Sequence, residues 1–176
     1  MNALTRQPQN TNYLQPTKFL LVFNRMPTVQ YFCQSVNIPG VSLGEAPLNF
    51  PGIDVYSPGN KMSYKPLTIS FSVDEKLQSW QEIHSWFRSI ASPEGTEERN
   101  RLAALQNSNS PRGKSGFSDA TLTVLSALNN PIIRVHFINT FPTDLSDIQF
   151  DTKSSADEII TADATFRFDY FNFELA

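Results

Sequence analysis

Two histidines and one cysteine are the residues of this sequence best suited to chemistry, and none stands in a catalytic or metal-binding spacing. His84 falls beside the apolar face of a predicted helix, next to Ile83, and reads as a half-buried packing residue. His136 falls on the polar face of a predicted strand with Arg134, with no cysteine, histidine or carboxylate near it at metal-ligand spacing. Cys33 is alone, so an intrachain disulfide and a four-cysteine metal site are both impossible, and a small buried thiol is the simple reading. Asp144 and Asp147 flank Ser146, a pattern that shapes loops more often than it moves protons. Gly113-Lys114-Ser115 resembles the end of a phosphate-binding loop. The glycine needed five residues before Gly113 is replaced by Ser108, and no strand precedes it. No nucleophile elbow, zinc motif or dinucleotide fingerprint is present. The expectation is no enzyme, no metal and no cofactor.

The 176-residue chain is long enough for a sizeable core, yet only 18% of it is charged, below the usual quarter. Such a chain often hides surface against partners. The 14 phenylalanines suit a β-rich core or interface. A net charge of −3 gives no basic field to draw in nucleic acid, and the aromatics alternate as core residues rather than interleaving with lysines. Met1 to Pro16 is polar, without a signal peptide's apolar core, and no run approaches a membrane span. It is read as a flexible arm that orders on assembly, on a soluble protein made in a cytoplasm.

The elements are organised around Lys65 to Ala91, where the period changes. Leu67, Ile69, Phe71 and Val73 alternate with Thr68, Ser70 and Ser72, which predicts a half-buried strand. From Asp74 the repeat is helical. Leu77, Trp80, Ile83, Phe87 and Ile90 share one arc as the helix–sheet core, with Trp86 at its edge, Asp74 as N-cap, and Pro93 and Gly95 as the stop.

Phe19 to Phe23 reads as a strand covered on both sides, and Pro27 as part of a turn, with Val29 to Val36 returning as a hairpin. Val41 to Met62 holds too many prolines and glycines for a long regular element. It is nonetheless oily, carrying Val41, Leu43, Leu48, Phe50, Ile53, Val55, Tyr56 and Met62. Either it wraps its own domain or it projects and buries these side chains in another subunit; exposed apolar patches favour the second. Thr96 to Gln106 suits a short helix, followed by a polar loop to Ser118. Thr121–Leu125 and Ile132–Ile138 are predicted strands, the second with Ile133, Val135 and Phe137 inward. Phe141-Pro142-Thr143 reads as a turn, Asp147 to Asp151 as a short strand, and Ser154-Ser155 as another turn. From Glu158 to Leu175 runs one long strand whose parity flips near Tyr170. Either a bulge or bend carries it from one sheet to another, or both its faces are buried.

Three features together resemble a known family. They are the Ile38-Pro39-Gly40-Val41-Ser42-Leu43 segment after the first strands, the Trp-x-x-Ile-x-x-Trp-Phe helix following a Pro/Gly-rich loop, and the ending from Phe141-Pro142-Thr143-Asp144 to Phe166-Arg167-Phe168-Asp169-Tyr170-Phe171. Over about Lys18 to Glu174 the chain resembles the tail tube proteins of contractile-tailed bacteriophages and their tube-like baseplate relatives. The resemblance implies a mainly β fold, a β-sandwich or barrel of two packed antiparallel sheets with one amphipathic helix over about 74–91. It implies one domain over 1–176, with an arm (1–16), an intersubunit loop (41–62) and a polar insertion (94–118) longer than a tube subunit needs. It further implies a structural virion protein of the phage tail. Copies would close into stacked hexameric rings, in contact with sheath, baseplate or terminator proteins. DNA would pass through the lumen without specific binding, and no membrane would be involved. The alternative is a baseplate hub, adaptor or tail-end ring, or the tube subunit of a related contractile injection system.

Overall fold

One strand is long enough to belong to two layers. In the computed structural model, which describes residues 12–93, 95, 97, 116–153 and 159–175, β7 runs from Pro131 to Leu145. Its first half pairs with β6 (Ser118–Leu125) on one side and β9 (Tyr170–Leu175) on the other. Its second half pairs with β8 (Thr161–Arg167). Beyond β6 lies β1 (Phe19–Phe23); beyond β8 lie β5 (Leu67–Ser72) and β2 (Cys33–Val36). All these pairings are antiparallel. The result is one seven-stranded sheet folded along β7 into two layers, with β3 (Val41–Phe50) and β4 (Ile53–Tyr64) forming a separate hairpin. The expected mainly β fold of packed antiparallel layers with an amphipathic helix is the fold observed.

The alternation in each strand builds the core. Leu21 and Phe23, Leu67, Ile69 and Phe71, Ala120 and Leu122, Val135 and Phe137, and Ala162, Ala164 and Phe166 are buried in one cluster. Rings meet across it, Phe23 on Phe166 at 5.1 Å between centroids. A small inward residue on one strand leaves room for an aromatic on another, so the layers interdigitate.

The fold line is polar. Asn139 sits in β7 with φ +55°, a left-handed backbone that asparagine tolerates better than most residues. Its N–H donates to Asp119 Oδ1 at 3.0 Å and its side-chain amide to Asp169 Oδ2 at 2.7 Å. The Asp169 N–H in turn donates to the Ile138 carbonyl at 3.0 Å. The bend in β7 and the break between β8 and β9 are thus clasped together. The single strand expected over Glu158–Leu175 is in fact two, β8 and β9, but the crossing between layers that the parity flip near Tyr170 predicts is observed: Ala162, Ala164 and Phe166 are buried before it, and Phe171 packs on the core after it.

Other expectations are corrected. Phe19–Phe23 is covered on one side only, since Leu20 is 47% exposed. No hairpin follows it. Pro27–Phe32 is a short helix, α1, with Pro27 in its first turn, where a missing N–H costs nothing. β2 then pairs with β5 rather than β1. The N-terminus of α1 is capped from elsewhere: Glu82 accepts from the N–H groups of Thr28 and Val29 at 3.1 and 3.3 Å, and from the Thr28 hydroxyl at 2.6 Å. Phe141-Pro142-Thr143 is not a turn but lies within β7, and Asp147 to Asp151 forms no strand. The expected 1–16 arm up to residue 11, the helix over Thr96–Gln106, nearly all of 94–118 and the turn at Ser154 and Ser155 lie outside the described residues.

The main helix, α2, spans Gln78–Ala91 and starts four residues later than expected. Asp74 still serves its first turn, accepting from the N–H groups of Gln78 and Ser79 at 3.0 and 2.8 Å. Desolvation pulls the Asp74 carboxyl up, but these bonds and the Ser79 hydroxyl together outweigh it and hold it at about 2. The buried stripe is Ser79, Ile83, Trp86 and Ser89, rotated from the expected arc. Ile83 is in the core as predicted. Trp86, expected at the edge, is the largest fully buried side chain, its indole N–H on the Gly116 carbonyl at 2.9 Å. Trp80 and Phe87 are half-buried against the core, Leu77 precedes the helix with φ +58°, and Ile90 is 40% exposed. Two serines lie at the centre because small side chains let the helix approach closely; Ser89 satisfies its hydroxyl on the Trp86 carbonyl at 2.7 Å.

Candidate functional interface

The residues with chemical potential fall in unremarkable places. His84 is exposed, not half-buried, and stacks flat on Trp80 at 5.2 Å. The Cys33 thiol is half-buried rather than buried, and desolvation raises it to about 11, so it is a poor nucleophile. His136 does find a carboxylate that sequence spacing hid: Glu174, 38 residues away on β9, lies 2.9 Å from its Nε2, and Thr121 Oγ1 lies 3.1 Å from its Nδ1. This hydroxyl–imidazole–carboxylate row has the composition of a catalytic triad. It lies on the flat outer face of three paired strands, whose ladder occupies the backbone N–H groups that an oxyanion hole would need. Its effect is to tie β9 across β7 to β6. Among the described residues no group of His, Cys, Asp or Glu could hold a metal ion, and no helix is long and apolar enough to cross a membrane.

The surface that stands out is apolar. Val41, Leu43, Leu48, Phe50, Ile53, Val55, Tyr56 and Met62 are all between 44% and 67% exposed. Contrary to the expectation of an irregular loop, they lie on the β3–β4 hairpin. The prolines and glycines shape it. Pro51-Gly52 makes the two-residue tip, with Gly52 at φ +93°, the left-handed conformation that a type II turn requires. Pro47 is tolerated because both strands of a two-stranded ribbon are edges. Between Leu43 and Glu45 the register shifts, and there Gly59 crosses Gly44 so closely that a Cβ on Gly59 would sit 2.6 Å from the Gly44 carbonyl oxygen.

Residues paired across an antiparallel ladder share a face. Near the base, Val41 and Leu43 pair with Tyr64 and Met62 on one face, and Ser42 with Ser63 on the other. Beyond the bulge, Leu48 pairs with Val55 and Phe50 with Ile53 on the face opposite to the base pairs, while Asn49 and Asp54 pair behind them. The apolar surface therefore changes sides along the hairpin. Among the described residues the base is anchored to the body through the Tyr64 ring, on Phe168 at 5.6 Å and on Phe171 at 5.3 Å. Of the two readings left open by the sequence, wrapping its own domain is not what the hairpin does.

A family model described as phage tail tube protein matches residues 8–174. A tail tube terminator protein of enterobacteria phage T4 is 25% identical over 177 residues, covering 93% of this chain and 90% of that protein. In fold, the chain is similar to a subunit in the anti-feeding prophage baseplate (TM-score 0.61, 14% identity, 94% of this chain and 97% of the other). It is also similar to a subunit of the tube-terminating cap of the same particle (TM-score 0.59, 15% identity, all of both chains).

Proposed function

The chain belongs to the phage tail tube protein family, and from that premise we propose that its copies close into a hexameric ring, coaxial with the tail tube, through which DNA passes during ejection. The observation that carries this is the β3–β4 hairpin, which holds eight large apolar side chains in water and away from its own core. Apolar side chains held in water on both faces of a projecting hairpin mark an interaction surface, and burial at roughly 25 cal/mol per Å² favours covering them. The role is structural. A net charge of −3 suits a lumen wall that does not grip phosphates. Among the described residues the outer edges of β1, β2 and β9 have no further strand beside them, and such edges offer backbone pairing around a ring. A single domain over 1–176, partner contacts with sheath, baseplate or terminator proteins, a place in the virion tail and assembly in the host cytoplasm all belong to this reading.

A second placement is favoured by the T4 relative, which is a tail tube terminator: a ring set once at the end of the tube rather than repeated along it. Electron microscopy and native mass spectrometry of the purified chain test the ring, with six-fold rings expected. A chain that stays monomeric at high concentration and forms no ring in any particle would refute it. Counting rings of this subunit in a cryo-EM map of the particle separates the placements: one ring at an end for a terminator, many for a tube.

A further inference from the structure

Burial does not hold the end of β9. Phe173 pairs with Val135, and Leu175 with Ile133, so both lie on the core side of their layer. Val135 is fully buried, yet Phe173 is 62% exposed and Leu175 is 84% exposed. The sheet therefore overhangs the opposite layer, leaving a ledge of core-type surface in water. The start of β9 is pinned, since Asp169 holds the Asn139 amide and Phe171 packs on the core. Past Phe171 little apolar surface is covered, and among the described residues no strand lies beyond β9. An edge strand with so few buried contacts opens readily.

What grips this stretch lies on the other face. Thr121, His136 and Asn172 stand in one cross-strand row, and Thr123, Arg134 and Glu174 in the next. Glu174 reaches past Arg134, its direct partner, to His136 Nε2 at 2.9 Å, and Thr121 Oγ1 lies 3.1 Å from Nδ1 on the far side of the ring. These contacts fix where the protons sit. A bare Nε2 lone pair would be repelled by a carboxylate, so Nε2 carries the proton and donates to Glu174. In neutral His136, Nδ1 is then the acceptor and the Thr121 hydroxyl donates to it. In the imidazolium both nitrogens donate, and the same hydroxyl turns to accept. The row is therefore complete in either charge state. The other charged side chains of β6, the first half of β7 and β9 are Arg134, opposite Glu174, and Asp119, which accepts from the Asn139 N–H.

Resting on the ring assembly proposed above, we infer that Thr121, His136 and Glu174 work as one latch that keeps the end of β9 in its ladder whether or not the histidine is charged, and so holds that edge straight before assembly. Thr121 is a positioning residue. It touches neither β9 nor a partner, and acts by holding the imidazole so that Nε2 aims at Glu174. The His136 and Glu174 side chains are 36% and 58% exposed, so the pair adds little to global stability. Its effect is local, on a segment whose opening is already easy. A frayed strand must be ordered when a neighbour arrives, and one held straight in advance avoids that cost.

Hydrogen exchange and NMR of the full chain, at a concentration where it is monomeric, test this. Thr121→Val removes the hydroxyl, Glu174→Gln removes the charge, and Thr123→Val repeats the first change one row away as a control. An unchanged circular dichroism spectrum and melting temperature check that all three fold. Thr121→Val and Glu174→Gln are each expected to lower the protection of the β9 amides bonded to β7 by about threefold, at pH 5.5 and at pH 8 alike. The double variant should lose little more than either single one, and β1 amides and the control should be unchanged. Nitrogen shifts of the wild-type His136 ring at pH 8 should report the Nε2–H tautomer. An Nδ1–H tautomer, protection unmoved by Thr121→Val, or an effect at one pH alone would overturn the latch. Native mass spectrometry of the same variants at higher concentration should show ring formation weakened about in step with protection. Rings that form equally well on a loosened β9 would refute the link to assembly. A wild-type chain that forms no ring, with the exchange results as expected, would remove the ring and keep the latch.

Discussion

Replacing Gly59 with alanine separates the two jobs of the hairpin's backbone. The new Cβ would lie 2.6 Å from the Gly44 oxygen and 2.8 Å from its carbonyl carbon, and neither is the end of a flexible side chain. Reaching an ordinary contact of 3.4 Å requires the strands to part by about 0.8 Å at that point. Strands lie about 4.8 Å apart, so the opening tilts one against the other by about 10°. The tip lies eight residues beyond Gly44, a lever of roughly 26 Å at 3.3 Å per residue, so it swings by about 4 Å. Overpacking of this kind costs about 1–3 kcal/mol, but here it falls on a hairpin that packs mainly on itself. The melting temperature should therefore move little while ring formation by native mass spectrometry falls by tenfold or more. Gly44→Ala is the control, because its Cβ would meet Lys61 O at an acceptable 3.5 Å. If Gly59→Ala forms rings at the wild-type concentration, the bulge does not set the aim of the tip and the reasoning fails. A large loss of melting temperature would equally contradict the hairpin's independence of the core.

Three other outcomes follow from the same structure. Trp86→Ala empties the largest buried site and strands the Gly116 carbonyl, and should cost about 3–5 kcal/mol, read by urea denaturation as a lower midpoint with an unchanged slope. The Asp74 carboxyl is held at about 2 in the folded chain, below its ordinary value near 3.9. Its contribution is present above that ordinary value and is lost as pH falls through about 2, so Asp74→Asn should flatten the fall in melting temperature between pH 4 and pH 2; an unchanged profile would show that the capping bonds do not matter. With its thiol raised to about 11, Cys33 should react with an aromatic disulfide reagent at pH 8 much more slowly than free cysteine does, and reach the free rate in urea.

Where burial alternates strictly, sequence and structure agree. Leu67 to Phe71, Ile133 to Phe137 and the parity flip near Tyr170 are legible because a period of two assigns each side chain to a face. The hairpin was not legible as one, since proline and glycine argue against strands that have neighbours on both sides, and this ribbon has none. The oily content of Val41–Met62 still marked it as a surface. The centre of the α2 stripe was misplaced because only oily residues define an arc in sequence, and two of the buried positions are Ser79 and Ser89. The Asn139–Asp169 clasp and the His136–Glu174 pair join residues 30 and 38 apart, which no local pattern signals. Nor did local pattern mark the ledge, because Phe173 and Leu175 have the parity of core residues and are exposed only for want of a facing layer.

A wall built from this chain would inherit the properties of β7. Fifteen residues of continuous backbone serve both layers, the first half holding β6 and β9 and the second half β8, so the two ladders are joined end to end by covalent chain. Hydrogen bonds pulled in parallel break together rather than one by one. Force from a contracting or bending neighbour would then pass through the subunit as through a rigid strut, leaving the hairpin as the place where strain is taken up.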